Sequence, residues 1–422
     1  MIGNSTSPNF DNFGNLYLLK GRNTFASIRA EYFSKYLMIF IEPYFINKEN
    51  NQMPSLSRGG RYVYTNELSN ISERPFKEVG LRESLFFIHK NYIGIGISNM
   101  NQWLGPGVHN TLTMTNNTKG FSHAFIGTLK NKKINDIFSI DTRYTFSKLK
   151  NTMGGVYLTS LSGLIQIDSD ITYRFGMIRD FLSGGKLSSS GEKITEEDAM
   201  LLVFGPLFAD SKKEIKYTTN WGFEPWDQQI TGFIEVIPDN KTRLYIEVGT
   251  GDHRKNLSDL KANWDHNLAY VMGIKKFFEL TSKKNFLLLG AEYSTMTGNS
   301  NTRKFRGSGP WYDNSWYDYS SFDGRRWAAH SGSDSDDYSI YSGIKFKNNS
   351  FLIYYSKERK GLQLEQYPEI KYELLLNYNH KLKDTFHIKT FLEYEFHNNY
   401  FFMNEQKRSD IAISFNFQYR IN

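Results

Sequence analysis

The chain closes on a run that leaves few ways to fold. Ile411, Ile413, Phe415, Phe417, Tyr419 and Ile421 fall on one face of an extended strand, and Ala412, Ser414, Asn416, Gln418 and Arg420 fall on the other. As a free edge in water so long and apolar a strand would aggregate. Paired with the first strand of a closed sheet, with its apolar face against lipid, it is stable. The same period of two recurs from Phe25 to Tyr32, Leu37 to Phe45, Val79 to His89, Tyr92 to Ser98, His123 to Leu129, Phe138 to Lys148, Val156 to Gly163 and Ile171 to Asp180. It resumes at Glu214 to Trp221, Gln228 to Ile237, Thr242 to Gly251, Asn267 to Phe278, Phe286 to Thr297, Tyr338 to Lys347, Ser350 to Lys357, Ile370 to Leu382 and Thr385 to His397. These segments predict an all-β chain, a transmembrane antiparallel β-barrel of about eighteen strands with tight turns on one rim and long extracellular loops on the other.

Composition bears on the alternatives. Aromatic residues make up 16% of the chain, with 27 Tyr and 33 Phe, yet no run approaches the roughly 18 apolar residues of a spanning helix. A soluble all-β protein could share that composition, and the C-terminal run is what favours the membrane. The net charge of +7 is spread over scattered lysines, as at Lys130 to Lys133 and Lys345 to Lys347, which is no nucleic-acid stripe. The chain has no cysteine, which removes disulfides, thiolate catalysis and cysteine zinc sites together. No repeat of fixed period argues for a propeller. Residues Met1 to Pro8 show neither a basic nor an apolar leader segment, so the expectation for an exported, multi-pass outer-membrane protein is a signal removed upstream.

We read residues 1–422 as one barrel domain with two interruptions. Within 182–210, Ser183 to Gly191 reads as a linker, and Thr195-Glu-Glu-Asp198 has the capping-box form that opens one short helix. Residues 298–337 form a long loop region without clean alternation. An earlier break is sharper. After the strand at Tyr92 to Ser98, Trp103-Leu-Gly-Pro-Gly107 ends the ladder, because Pro106 lacks an amide hydrogen and its flanking glycines permit a reversal. Thr111-Leu-Thr-Met-Thr115 then alternates again before a turn at Asn116-Asn117.

Trp103-Leu-Gly-Pro-Gly107 with Thr115-Asn-Asn-Thr118 resembles signature elements of the Wzi-like capsule assembly proteins of Gram-negative outer membranes. Pro225 to Gln228, Glu247 to Leu260, Asp265-His266, Phe305 to Tyr312 and Asp323 to Asp334 are similar to Bacteroidota-type sequences of that group. The resemblance implies a non-catalytic, lectin-like outer-membrane barrel that attaches or helps assemble capsular or extracellular polysaccharide. Its implied partners are outer-membrane lipid, the polysaccharide and other export proteins, with no cofactor. A channel for sugars or other solutes, or a subunit of an export or attachment assembly, is the competing expectation, and an enzyme is the third.

Three constellations carry candidate chemistry. Asp252, His253, Arg254, Asp259, Asp265 and His266 offer two Asp-His pairs; adjacent residues on a strand face opposite ways, so a lumen polar network is expected rather than a catalytic dyad. Trp103, Arg306, Trp311, Tyr312, Asp323, Arg325, Arg326, Trp327 and His330 join aromatic rings to forked donors and carboxylates, the set a sugar-binding loop uses. Asp334, Asp336 and Asp337 are spaced like calcium-loop oxygens, but Ser339 and Lys345 stand where a glycine and a distal glutamate are needed, so no metal is expected.

Overall fold

The computed structural model describes residues 2–4, 11–50, 76–151, 154–184, 226–251, 261, 267–280, 285–298, 311–312, 314, 320–323 and 325–421. Among the described residues twenty strands join one antiparallel sheet, and a two-stranded hairpin, Ser321–Phe322 with Arg325–Arg326, stands apart. The strands follow where the period of two places them, for example Leu37–Lys48, Phe76–Lys90, Phe138–Asn151, Gly154–Asp168, Thr242–Thr250 and Lys407–Tyr419. The expected strand at Glu214 to Trp221, and the linker and helix of 182–210 beyond Gly184, lie outside the described residues.

Almost every strand pairs with its sequence neighbours. Gly21–Ser27 and Ala30–Phe33 both lie against Leu37–Lys48, and His123–Thr128 and Lys132–Lys133 both lie against Phe138–Asn151. The three-residue strand Ile2–Asn4, too short to show any period in the sequence, pairs Ile2 with Asn23 on one side and Ser414 on the other. The connection from Lys90 to Ile93 is a tight turn in which Asn91 and Tyr92 both take left-handed φ, 52° and 66°, the geometry that matches strand twist in two-residue hairpins.

The two faces of the sheet are inverted relative to a water-soluble protein. Leu244, Ile246 and Val248 are exposed while Tyr245 and Glu247 between them are buried; Leu392 and Tyr394 are exposed while Glu393 and Glu395 are buried. Ile93, Ile95, Ile97, Ile411, Ile413, Phe415 and Phe417 continue the exposed apolar face. Buried carboxylates are stable only where other groups meet them, so the inward side is lined by a polar network and the outward side suits hydrocarbon. No described helix is long and apolar enough to cross a membrane.

Candidate functional site

The segment from Asn101 to His123 turns inward, against the expectation that Thr111 to Thr115 alternates as a strand. Thr111, Leu112, Thr113, Met114 and Thr115 are all buried, on both faces, because the wall surrounds them; among the described residues their sheet-like contact is the isolated bridge between Leu104 and Met114. The glycines explain the path. Gly105 holds φ +130°, and a Cβ there would meet Thr111 Oγ1 at 2.7 Å and Glu247 Oε2 at 2.8 Å. At Gly107 a Cβ would stand 1.7 Å from Asn110 O. Trp103 closes the same turn by donating Nε1–H to Gly107 O at 2.9 Å, and its ring is only partly exposed.

Wall carboxylates grip this turn. Three successive backbone N–H groups donate to one of them, Glu292: Val108 at 2.6 Å, His109 at 3.2 Å and Asn110 at 2.6 Å. Tyr245 Oη–H donates to the same carboxylate at 2.6 Å, and Leu112 N–H reaches Glu247 at 3.3 Å. Arg243 ties the turn from below by donating to Pro106 O while holding Glu235 at 2.8 Å. A carboxylate collecting several donors in a buried site makes charge-assisted bonds, roughly twice as strong as neutral ones.

A second inward segment packs on the first. Thr115 N–H donates to Trp327 O at 2.8 Å, Thr115 Oγ1 to Ala328 O at 2.6 Å, Asn117 Nδ2 to Arg326 O at 2.9 Å, and Tyr312 Oη to Leu112 O at 2.7 Å. The core between them contains Leu112, Met114, Phe121, Trp311, Tyr312 and Trp327. The N-terminal stretch completes the packing: Gly14 N–H donates to Asn116 O at 2.7 Å, and Arg325 donates to Gly14 O. Burial pushes the Arg325 guanidinium down to about 10.

Three segments meet at His109, His330 and Asp337. Asp337 Oδ2 lies 2.7 Å from His109 Nε2, 3.1 Å from His330 Nε2 and 3.1 Å from Asn110 Nδ2. Asn12 Nδ2 donates to His109 O at 2.9 Å. Beyond lies Lys371, which contacts Asp11 and stands 3.2 Å from Glu358. Burial alone would raise the pKa of Asp11, but Lys371, His330 and Lys360 hold it well below the usual carboxylate value. Burial lowers the pKa of His330; Asp11, Asp337 and Glu358 raise it by more, and the net shift is upward. The donor atoms of His109, His330 and Asp337 lie within 4.8 Å of one another, as those of a metal set would. Asp337 Oδ2 accepts from His109 and Asn110, while Asp337 Oδ1 and His330 Nε2 are buried without a hydrogen bond among the described residues.

The structure therefore redistributes the residues singled out above. Trp311, Tyr312, Arg325, Arg326, Trp327 and His330 come together, at 0–3% exposure, inside the sheet. A ring without exposed surface cannot stack on a sugar, so these six form the packed interior in this state. Asp323 stays at the surface, paired with Lys119 at 2.8 Å, and Arg306 lies outside the described residues. Asp252, His253, Arg254, Asp259, Asp265 and His266 also lie outside them. The three aspartates of the calcium-like spacing have separate partners: Asp334 accepts from Gln363 N–H and Leu364 N–H, Asp336 pairs with Arg359 and Asp337 with the histidines. Adjacent Asp336 and Asp337 face opposite sides of one strand, so the three never converge. Sequence reading missed Glu292, Glu247, His109 and Lys371; the available signal was a charged residue set between exposed apolar neighbours, as in Leu392-Glu-Tyr-Glu-Phe396.

No family model matches the sequence, and no curated protein matches it. Among solved structures, Wzi of Escherichia coli, described as an outer membrane protein involved in group 1 capsule assembly and a carbohydrate-binding β-barrel, superposes with a TM-score of 0.65 at 10% identity, over 98% of this chain and 82% of Wzi. OccAB3 and the outer membrane channel DcaP, both of Acinetobacter baumannii, match at TM-scores of 0.44 and 0.40, with 9% and 8% identity, over 99% of this chain and 96% and 94% of theirs, too distant to carry an argument. At 10% identity the likeness to Wzi is one of fold, and the chain is an all-β protein built on the plan of that outer-membrane β-barrel.

Proposed function

We propose that the chain is a single-domain, closed outer-membrane barrel that binds surface polysaccharide without turning it over. Counting, among the described residues, each pair of strands that shares one partner strand as a single stave leaves eighteen, and Ile2–Asn4 joins the last to the first. The observation that carries the reading is the filled long-loop half of the interior, where the segment 101–123 and the described residues of 311–337 interlock and are gripped by Glu292 and Glu247. A barrel so filled suits an attachment role better than free diffusion of solutes. The carbohydrate class is taken from Wzi, whose fold the chain shares. Burial of the clustered Trp and Arg side chains leaves exposed Asp323 and partly exposed Trp103 as the sugar contacts among the described candidates. Each contact is weak, and a repeating polymer compensates by engaging many copies of the protein at once.

Three measurements test this. Purified protein should be retained on capsular or extracellular polysaccharide from the producing cell, and a deletion strain should shift polysaccharide from the cell-bound to the loose fraction. In planar bilayers the protein should stay silent. A steady open channel would replace the attachment reading with the channel reading.

A further inference from the structure

Below the interlocked segments the interior opens into a cavity of about 750 Å³ at the tight-turn end, lined by inward positions of consecutive strands. Register puts them side by side: Phe277 opposes Leu288, Leu288 opposes Gly343, Gly343 opposes Leu352, and Leu352 opposes Asn377. One step nearer the turns, Lys345 opposes Ser350, Ser350 opposes Asn379, and Asn379 opposes Lys389. Cross-strand partners share a face, so Lys345, Asn377, Asn379 and Lys389 point into one space with Phe277, Leu288 and Leu352.

Few of the polar groups that face this space meet a protein partner. Among the described residues neither Lys345 nor Lys389 has an ion-pair partner, Asn377 has no side-chain hydrogen bond, and Asn379 Oδ1 is buried without one. The one carboxylate on the lining, Glu279, is held by Lys241 at 3.5 Å. Lys345 and Lys389 are exposed, so their ammonium groups stand solvated on one cavity and are free to meet an anion that enters it. The amides supply both donors and acceptors for hydroxyls. Phe277, Leu288 and Leu352 supply the apolar wall on which a pyranose face rests. The volume falls in the range of ligand pockets, roughly 300–1,000 Å³.

We propose that this cavity is a second, inward-facing binding site for a carboxylated oligosaccharide, reached from the tight-turn side of the membrane, with Lys345 and Lys389 meeting the carboxylates and Asn377 and Asn379 the hydroxyls. In outer-membrane barrels that side is the periplasm, so the site would take acidic glycan before it reaches the surface. The proposal rests on the polysaccharide-binding reading given above and adds the class of sugar and the side of entry.

The test uses purified full-length protein in detergent, titrated calorimetrically with trigalacturonate, with maltotriose as a neutral control and inorganic phosphate as a simple-anion control. Trigalacturonate should bind, more weakly as salt is raised; maltotriose should not. The double variant Lys345→Gln/Lys389→Gln alters two solvent-reached side chains and should fold, as checked by circular dichroism and heat modifiability. It should bind trigalacturonate at least tenfold more weakly. Asn377→Leu, a neutral change in the same wall, should weaken binding without altering its salt dependence. Unchanged affinity in the folded double variant overturns the site, and so does phosphate competing as well as the sugar at equal concentration. Wild type that retains the whole polysaccharide but ignores trigalacturonate overturns the inner site alone, whereas wild type that holds neither overturns the functional reading as well.

Discussion

The long-loop and tight-turn halves of the interior are built from the same strands to opposite ends. Above, Glu292 is surrounded by four donors from the inward turn and Tyr245, and the aromatic core around Trp327 excludes water. Below, Lys345 and Lys389 face a cavity without an ion-pair partner among the described residues, and the one carboxylate on its lining, Glu279, is held by Lys241. The upper strands spend their inward polar groups on holding another part of the chain; the lower ones leave theirs for something else. A uniform pore would show neither pattern, since its lining residues meet water throughout.

The sharpest way to break the contrast is to release the upper half. Glu292→Ala removes the acceptor of three backbone N–H groups and of Tyr245 at once, leaving buried donors unpaired. We expect a loss of about 3–5 kcal/mol, the scale for stripping one partner from a buried charged network, seen as a lower midpoint of heat-induced unfolding. Conductance bursts should appear in bilayers where the parent is silent. An unchanged midpoint and continued silence would show that the turn is held some other way. Trp327→Ala comes next. It vacates the aromatic core beside Phe121, where ring centroids are 6.5 Å apart, and should cost about 3–4 kcal/mol by cavity formation. Trigalacturonate affinity in the lower cavity should stay within twofold of wild type. A selective loss of affinity for the polysaccharide polymer, with stability intact, would return Trp327 to the sugar-contact role its sequence context suggested.

The strands were legible in the sequence because a period of two survives wherever one face meets lipid and the other does not. Ile93, Ile95 and Ile97 and the closing run from Ile411 are exposed on that account. Thr111 to Thr115 misled for the complementary reason: a segment enclosed on all sides has no solvent face to mark its conformation, and alternation there reports nothing about a sheet. The Trp-Arg cluster carries two readings in the sequence because a sugar-binding loop and a polar, aromatic interior draw on the same side chains, and only burial separates them. Lys345 reads as an ordinary turn lysine until register sets it opposite Ser350 and in line with Asn379 and Lys389. Ile2–Asn4 was illegible outright, since three residues carry no period.

The smallest effect sharpens the contrast through pH. His330 is buried where three chain segments meet, and the net pull of Asp11, Asp337 and Glu358 lifts its pKa above the ordinary imidazole value against the opposing effect of burial. A group whose folded pKa is raised contributes stability that is fully present below its unfolded value, near 6.5, and is lost as pH climbs through the folded one. The stability difference between wild type and His330→Asn should therefore be greatest in mildly acidic solution and shrink toward alkaline pH. Unfolding midpoints of both proteins across that range measure it. Asp11 works in the opposite direction: its folded pKa is depressed, so its contribution is present above the usual carboxylate value and fades only in strong acid. Between those limits the upper half of the interior keeps both contributions. The lower cavity has no matching buried histidine among its lining residues, so trigalacturonate affinity there should hold steady over the same alkaline step that weakens the upper contacts.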